Sequence, residues 1–162
     1  MQLKGPTRRN FFPLIGAAVA LPVAQVRAEA QPMVEVWKDP GCGCCNGWVE
    51  HLRSNGFSVA VNDQPDLASI KAGAGVPADL ASCHTARIGE YVLEGHVPAQ
   101  AIRRLIKERP EGIGLAVPGM PIGSPGMEGG RPEVYAVILF GKAARQVYGR
   151  YIGAVPQPPQ AR

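Results

Sequence analysis

The chain has 162 residues, 46% of them hydrophobic and 19% charged. That is enough for one domain with a real core, and it excludes both a disordered polymer and a comfortable two-domain protein. Residues 1–30 set Lys4, Arg8, Arg9 and Arg27 against Glu29 alone, so the other 132 residues carry 13 basic and 12 acidic side chains. The formal charge of +4 is therefore concentrated at the N-terminus, and no basic stripe is left to bind nucleic acid.

Residues 1–30 read as an export signal. Thr7-Arg8-Arg9-Asn10-Phe11-Phe12 pairs two arginines with aromatic residues, and a mild apolar stretch runs from Pro13 to Ala24. Ala28-Glu29-Ala30 is a small-x-small site, which places cleavage before Gln31. This resembles a twin-arginine signal, with an ordinary secretory signal as the alternative. The apolar stretch is shorter than the roughly 20 residues a spanning helix needs, so the mature protein is expected to be periplasmic, with no stable membrane insertion.

Residues 31–151 read as one domain and 152–162 as a disordered tail rich in Pro and Gln. Val34 to Trp37 alternates and runs into Asp39-Pro40-Gly41, which predicts a strand entering a turn. Trp48, Val49 and Leu52 share a helical face between Cys45 and Asn55, with Gly56 placed to cap the C-terminus. Phe57, Val59 and Val61 predict a second strand, and Pro65 to Lys71 a short helix. Short strands are expected around Cys83–Ile88 and Tyr91–Glu94, then a third helix opened by Pro98 and ended by Pro110. Val134 to Phe140 is apolar enough for a buried strand, with Arg145 to Tyr148 placed to pair beside it. The order β-α-β-α-β-β-α predicts an α/β, thioredoxin-like fold with a central mixed sheet, flanking helices and an added C-terminal hairpin.

Residues 111–133 read as one long Gly/Pro loop. Loops beyond about 12–15 residues are usually functional or disordered. It contains a small repeat, Pro118-Gly119-Met120 and Pro125-Gly126-Met127, and so holds two of the three methionines that follow Met1.

The chemistry gathers in Cys42-Gly43-Cys44-Cys45 and in Cys83-His84. Structural disulfides are one reading: Cys42–Cys45 with Cys44–Cys83 is possible, whereas a vicinal Cys44–Cys45 bridge is strained. Thiol–disulfide exchange is a second. Cys42 and Cys45 have C-x-x-C spacing at a helix N-terminus, where the dipole favours a thiolate. That model leaves Cys44, Cys83 and the loop methionines without a part. A soft-metal site is the third reading, and it uses them all. Thiolates and thioethers favour Cu(I), and three cysteines in one tight turn favour bridging sulfurs over the spaced ligand pairs of structural zinc. Four thiolates leave one Zn(II) at −2 but approach neutrality with several Cu(I) ions, so a multinuclear site is expected. The ligand set is Cys42, Cys44, Cys45, Cys83, His84, Met120 and Met127.

The neighbouring residues divide between ligand and scaffold. Successive residues of a strand face opposite ways, so Cys83 and His84 share a site only where the strand begins or is distorted. His51 lies about 10 Å along the helix from Cys44 and reads as structural. His96 is expected to cap or brace a strand-to-helix junction. Asp39 and Trp48 are expected to shape or shield the cysteine turn, and Lys38 has no assigned role. Met120 and Met127 read either as copper ligands or as apolar plugs for the loop.

These segments resemble the small periplasmic copper-resistance proteins of the CopG type. The resemblance covers nearly the whole mature chain. It is carried by Asp39-Pro40-Gly41-Cys42-Gly43-Cys44-Cys45, Ser82-Cys83-His84-Thr85, Tyr91 through Pro98, and Gly114 through Pro121 continuing to Gly126-Met127-Glu128. It implies a thioredoxin-like fold, copper resistance as the biological role, and a thiolate copper cluster on Cys42, Cys44, Cys45 and Cys83. It also implies copper storage, relay to periplasmic efflux or chaperone partners, or a change of copper oxidation state.

Overall fold

The computed structural model describes residues 1–2 and 32–158; the expected export signal lies outside the described residues. Eight strands form one mixed sheet: β1 (Val34–Lys38), β2 (Val59–Asp63), β3 (His84–Ile88), β4 (Tyr91–Gly95), β5 (Gly114–Val117), β6 (Val134–Phe140), β7 (Arg145–Ile152) and β8 (Val155–Gln157). Their spatial order is β2-β1-β3-β4-β5-β6-β7-β8. Pairs β1–β2 and β4–β5 are parallel and the rest antiparallel. Among the described residues three helices accompany them, α1 (Gly43–Ser54), α2 (Ala68–Gly73) and α3 (Ala99–Glu108), with a 3-10 turn at Ala78–Leu80.

The central strands are buried on both faces because their side chains alternate between two apolar clusters. Leu93, Leu115, Val117 and Leu139 point towards Trp48, Val49 and Leu52 of α1 and Ile102 and Leu105 of α3. Val92, Ala116 and Phe140 point the other way, beneath Leu80, Val76 and Ala74. α3 ends at Glu108, where Arg109 adopts a left-handed conformation before Pro110.

Two expectations change. Residues 111–133 are not one loop: Gly114–Val117 is a fully buried strand wedged between β4 and β6. Only glycine suits its first position, since a Cβ on Gly114 would overlap the Val92 backbone. A strand of four residues, apolar on both faces and set among glycines and prolines, carries no alternation to reveal it. The C-terminal segment also keeps structure beyond Tyr151. β7 reaches Ile152, and Val155–Gln157 adds an edge strand whose Pro156 sits where proline is tolerated, on an edge.

Candidate metal centre

The cysteines stand where β1 hands over to α1. Asp39 Oδ1 accepts the Gly41 N–H at 2.7 Å and the Asp39 carbonyl accepts the Cys42 N–H at 3.1 Å, which closes the turn. Lys38, buried, donates to the Asp39 carbonyl at 3.2 Å and pairs with Asp63 Oδ1 at 2.9 Å. It thereby joins the ends of β1 and β2 beneath the turn. Cys42 occupies the N-cap position, so the thiols lie at the end of α1 whose backbone N–H groups lack helical partners.

Cys42 and Cys45 are joined as a disulfide, with Cα atoms 5.3 Å apart, while Cys44 and Cys83 are free thiols. Cys44 Sγ lies 3.5 Å from Cys42 Sγ and 4.0 Å from Cys83 Sγ. All four sulfurs fall within 4.8 Å of one another. Cys45 is fully buried and the other three are half-buried, so the group is open to solvent on one side. Burial pushes the Cys83 thiol up to about 12, and Cys44 beside it pushes the same way. The Cys83 thiol is thus held in its protonated form at neutral pH.

A second group overlaps the first. Cys83, His84 and His96 also place their ligand atoms within 4.8 Å of one another. β3 begins at His84, so Cys83 is free of the strand's alternation, and its Sγ lies 3.2 Å from His84 Nδ1. His96 Nε2 lies 3.1 Å from the same sulfur. The other nitrogen of His96, Nδ1, faces the Pro125 carbonyl at 2.7 Å. A carbonyl only accepts, so Nδ1 carries the proton and Nε2 presents its lone pair to Cys83. A ring N–H anchored on a carbonyl is the usual support of a metal-binding histidine. Both imidazoles are held below the ordinary histidine range, chiefly by burial, and for His84 also by His96 and Lys71. Both are therefore neutral at pH 7, the form that binds metal.

Trp48 covers this corner. Its ring centroid is 4.3 Å from that of His84, and Nε1 donates to the Val97 carbonyl at 2.9 Å. The glycine-rich loop covers another side. Gly126, at φ +87°, lies against the first turns of α1, where a Cβ would overlap the Cys44 carbonyl and come 2.6 Å from Trp48 N. Gly47 makes the reciprocal approach, since a Cβ there would lie 2.9 Å from Gly126 Cα.

The structure thus brings together Cys42, Cys44, Cys45, Cys83 and His84. Met127 directly follows Gly126 and is half-buried, whereas Met120 stands on an exposed turn at φ +47°. His51 lies apart from the sulfurs and accepts the Ala99 N–H at Nε2, 3.1 Å, at the start of α3. His96 corrects the sequence expectation. It does brace the loop, through Pro125, but its other nitrogen reaches the cysteine group. The missed signal is Gly95, whose φ of +70° ends β4 in a turn and directs the next side chain back to the site.

Among curated protein sequences, none matches this chain. A family model described as "Protein of unknown function, DUF411" matches residues 80–127, which include Cys83, His84, His96 and both loop methionines. Two solved structures are similar. "Copper resistance protein copG- Form 1" is 43% identical, with a TM-score of 0.70, over 75% of this chain and 98% of that one. "Copper resistance protein copG- Form 2" is 42% identical, with a TM-score of 0.71 and the same coverage. With that identity over 98% of each solved chain and 75% of this one, and the cysteine group described above, the chain belongs to the CopG family of copper resistance proteins.

Proposed function

We propose that this protein binds Cu(I) through Cys42, Cys44, Cys45 and Cys83 and sequesters or relays it in copper resistance. The observation that carries the reading is four sulfurs within 4.8 Å of one another at a helix N-terminus, beside neutral imidazoles. So dense a group of soft donors suits Cu(I) with bridging thiolates better than a single harder ion. The positive end of α1 offsets residual thiolate charge. His84 and His96 supply nitrogen donors from the β3–β4 side, and Met127 and Met120 extend the site from the loop. Similarity to proteins named for copper resistance supports the biological role.

The same reading takes the first seven elements as thioredoxin-like. It is supported by the order β2-β1-β3-β4, with β1 parallel to β2 and antiparallel to β3, and by the cysteine turn after β1. It takes residues 1–30 as a twin-arginine export signal and the periplasm as the site of action, with efflux or chaperone proteins as delivery partners. The motif Arg8-Arg9 and the Ala28-Glu29-Ala30 site support this, and no helix among the described residues is long and apolar enough to cross a membrane.

Anaerobic Cu(I) titration of the reduced protein tests the reading, with metal analysis and native mass spectrometry. Several coppers retained against a strong chelator, and lost when the thiols are alkylated, are expected. No retained copper refutes it.

The Cys42–Cys45 disulfide favours a second reading, thiol–disulfide exchange. A substrate dithiol would pass two electrons and two protons to the bridge, leaving a substrate disulfide and two protein thiols. Rapid turnover that Cys42→Ser abolishes and Cys83→Ser barely alters would favour it over copper storage.

A further inference from the structure

Cys83 lies one residue outside the hydrogen-bonded sheet. The pairing of β3 begins with His84 opposite Lys38 of β1 and Thr85 opposite Glu94 of β4. No strand neighbour therefore fixes Cys83, and a side chain does that work instead. Glu94, fully buried on β4, accepts the Ser82 backbone N–H at Oε1, 2.6 Å, and the Thr85 hydroxyl at Oε2, 2.7 Å. One carboxylate thus grips the chain on both sides of Cys83-His84. Lys71 of α2 donates to the same Oε1 at 2.6 Å and to Thr85 Oγ1 at 2.9 Å, which supplies the balancing charge. Gly95 keeps the corner tight, since a Cβ there would lie 2.6 Å from Ser82 Oγ.

A buried ion pair is weak evidence of stability, because apolar residues of similar volume commonly do as well or better. Its better-attested use is to select one arrangement among several. Here the arrangement selected is that of Ser82 to Thr85. We propose that Glu94, charge-balanced by Lys71, is a positioning residue. It sets the reach of Cys83 Sγ to Cys44 Sγ, 4.0 Å away, and to His96 Nε2, 3.1 Å away. The consequence for copper rests on the copper-binding reading; the placement of the thiol does not.

The test uses the full chain with Cys42–Cys45 already bridged and diamide as oxidant. Cross-linking of Cys44 to Cys83 is followed by a two-hydrogen mass loss and peptide mapping, with the hydrogens passing to diamide. Lys71→Met combined with Glu94→Leu removes both charges and keeps the volume. It is expected to melt near the parent temperature yet cross-link about tenfold or more slowly, as a displaced reactive group does. Faster exchange of the Ser82 amide should accompany the loss. Glu94→Gln retains an acceptor for that amide and should stay within about threefold of the parent rate. A folded double variant that cross-links at the parent rate overturns the proposal. If the double variant does not fold, Glu94→Asp decides: it keeps the charge for Lys71 but shortens the reach to Ser82, and a parent rate there overturns the proposal too. Retained Cu(I) should fall in the same variants that cross-link slowly. If the parent itself retains no copper, the copper reading fails while the cross-linking series still judges Glu94.

Discussion

Replacing Gly47 by alanine sets two effects of opposite sign against each other. In a helix interior the exchange ordinarily stabilises by about 1 kcal/mol, because glycine has more backbone freedom to lose on folding. Here the new Cβ would lie 2.9 Å from Gly126 Cα, well inside the roughly 3.5–4.0 Å of a good carbon–carbon contact. Both sides of the contact are backbone, so neither relieves it by a rotamer change, and overpacking of this kind costs about 1–3 kcal/mol. The net expectation is a loss of about 0–2 kcal/mol where propensity alone gives a gain. Gly43→Ala is the control: it opens the same helix, and a Cβ there meets nothing within 4 Å. Urea unfolding of both variants, held in one redox state so that the Cys42–Cys45 bridge is common to all, separates the two effects. If Gly47→Ala stabilises as much as Gly43→Ala, the loop is not seated on the cysteine helix and its role at the metal centre falls.

Cys83→Ser should lower the number of coppers retained and weaken what remains; unchanged stoichiometry in a chelator competition removes Cys83 from the site. Acid should destabilise the protein through its buried imidazoles. His84 and His96 bind protons less readily folded than unfolded, so the unfolded state takes up more protons and stability declines as pH falls through about 6.5 and below. Urea midpoints between pH 7.5 and 5.5 check this, and His96→Gln should flatten the slope. Met127→Leu should reduce copper retention more than Met120→Leu, since Met127 directly follows Gly126, which packs on α1, and Met120 is exposed; equal effects would make the two thioethers equivalent or irrelevant.

The elements with clean periodicity were legible from the residues alone. Trp48, Val49 and Leu52 mark the buried face of α1, and the apolar run from Val134 to Phe140 marks β6. β5 was not legible, because burial on both faces erases the alternation that identifies a strand and Gly114 is there for a contact, not a turn. At the centre, the four cysteines announce themselves by residue type and spacing. His96 and Glu94 do not. His96 lies 13 residues from Cys83 and reaches it only through the β3–β4 pairing, and a lone glutamate in a strand gives no sign that it will bind the Ser82 amide. Such residues become visible only once the register of the sheet is known.

On the copper-binding reading, the bridge between Cys42 and Cys45 would make copper capacity a function of thiol redox state. Joined, these two sulfurs are no longer thiolates, and the donors left are Cys44, Cys83 and the two imidazoles, all close to Cys83. Two thiolates and neutral nitrogens suit Cu(I) but provide half the sulfur needed to bridge several ions. The oxidised protein should therefore retain fewer coppers than the reduced protein. Capacity should return when a dithiol reduces the bridge, and Cys42→Ser, which cannot form the bridge and keeps the three thiols Cys44, Cys45 and Cys83, should hold an intermediate capacity whatever reductant is added. Native mass spectra of both redox forms, loaded anaerobically from one Cu(I) stock, read this directly. Equal copper in the two forms would mean that Cys42 and Cys45 contribute structure and not ligands, leaving the centre to Cys44, Cys83 and the histidines.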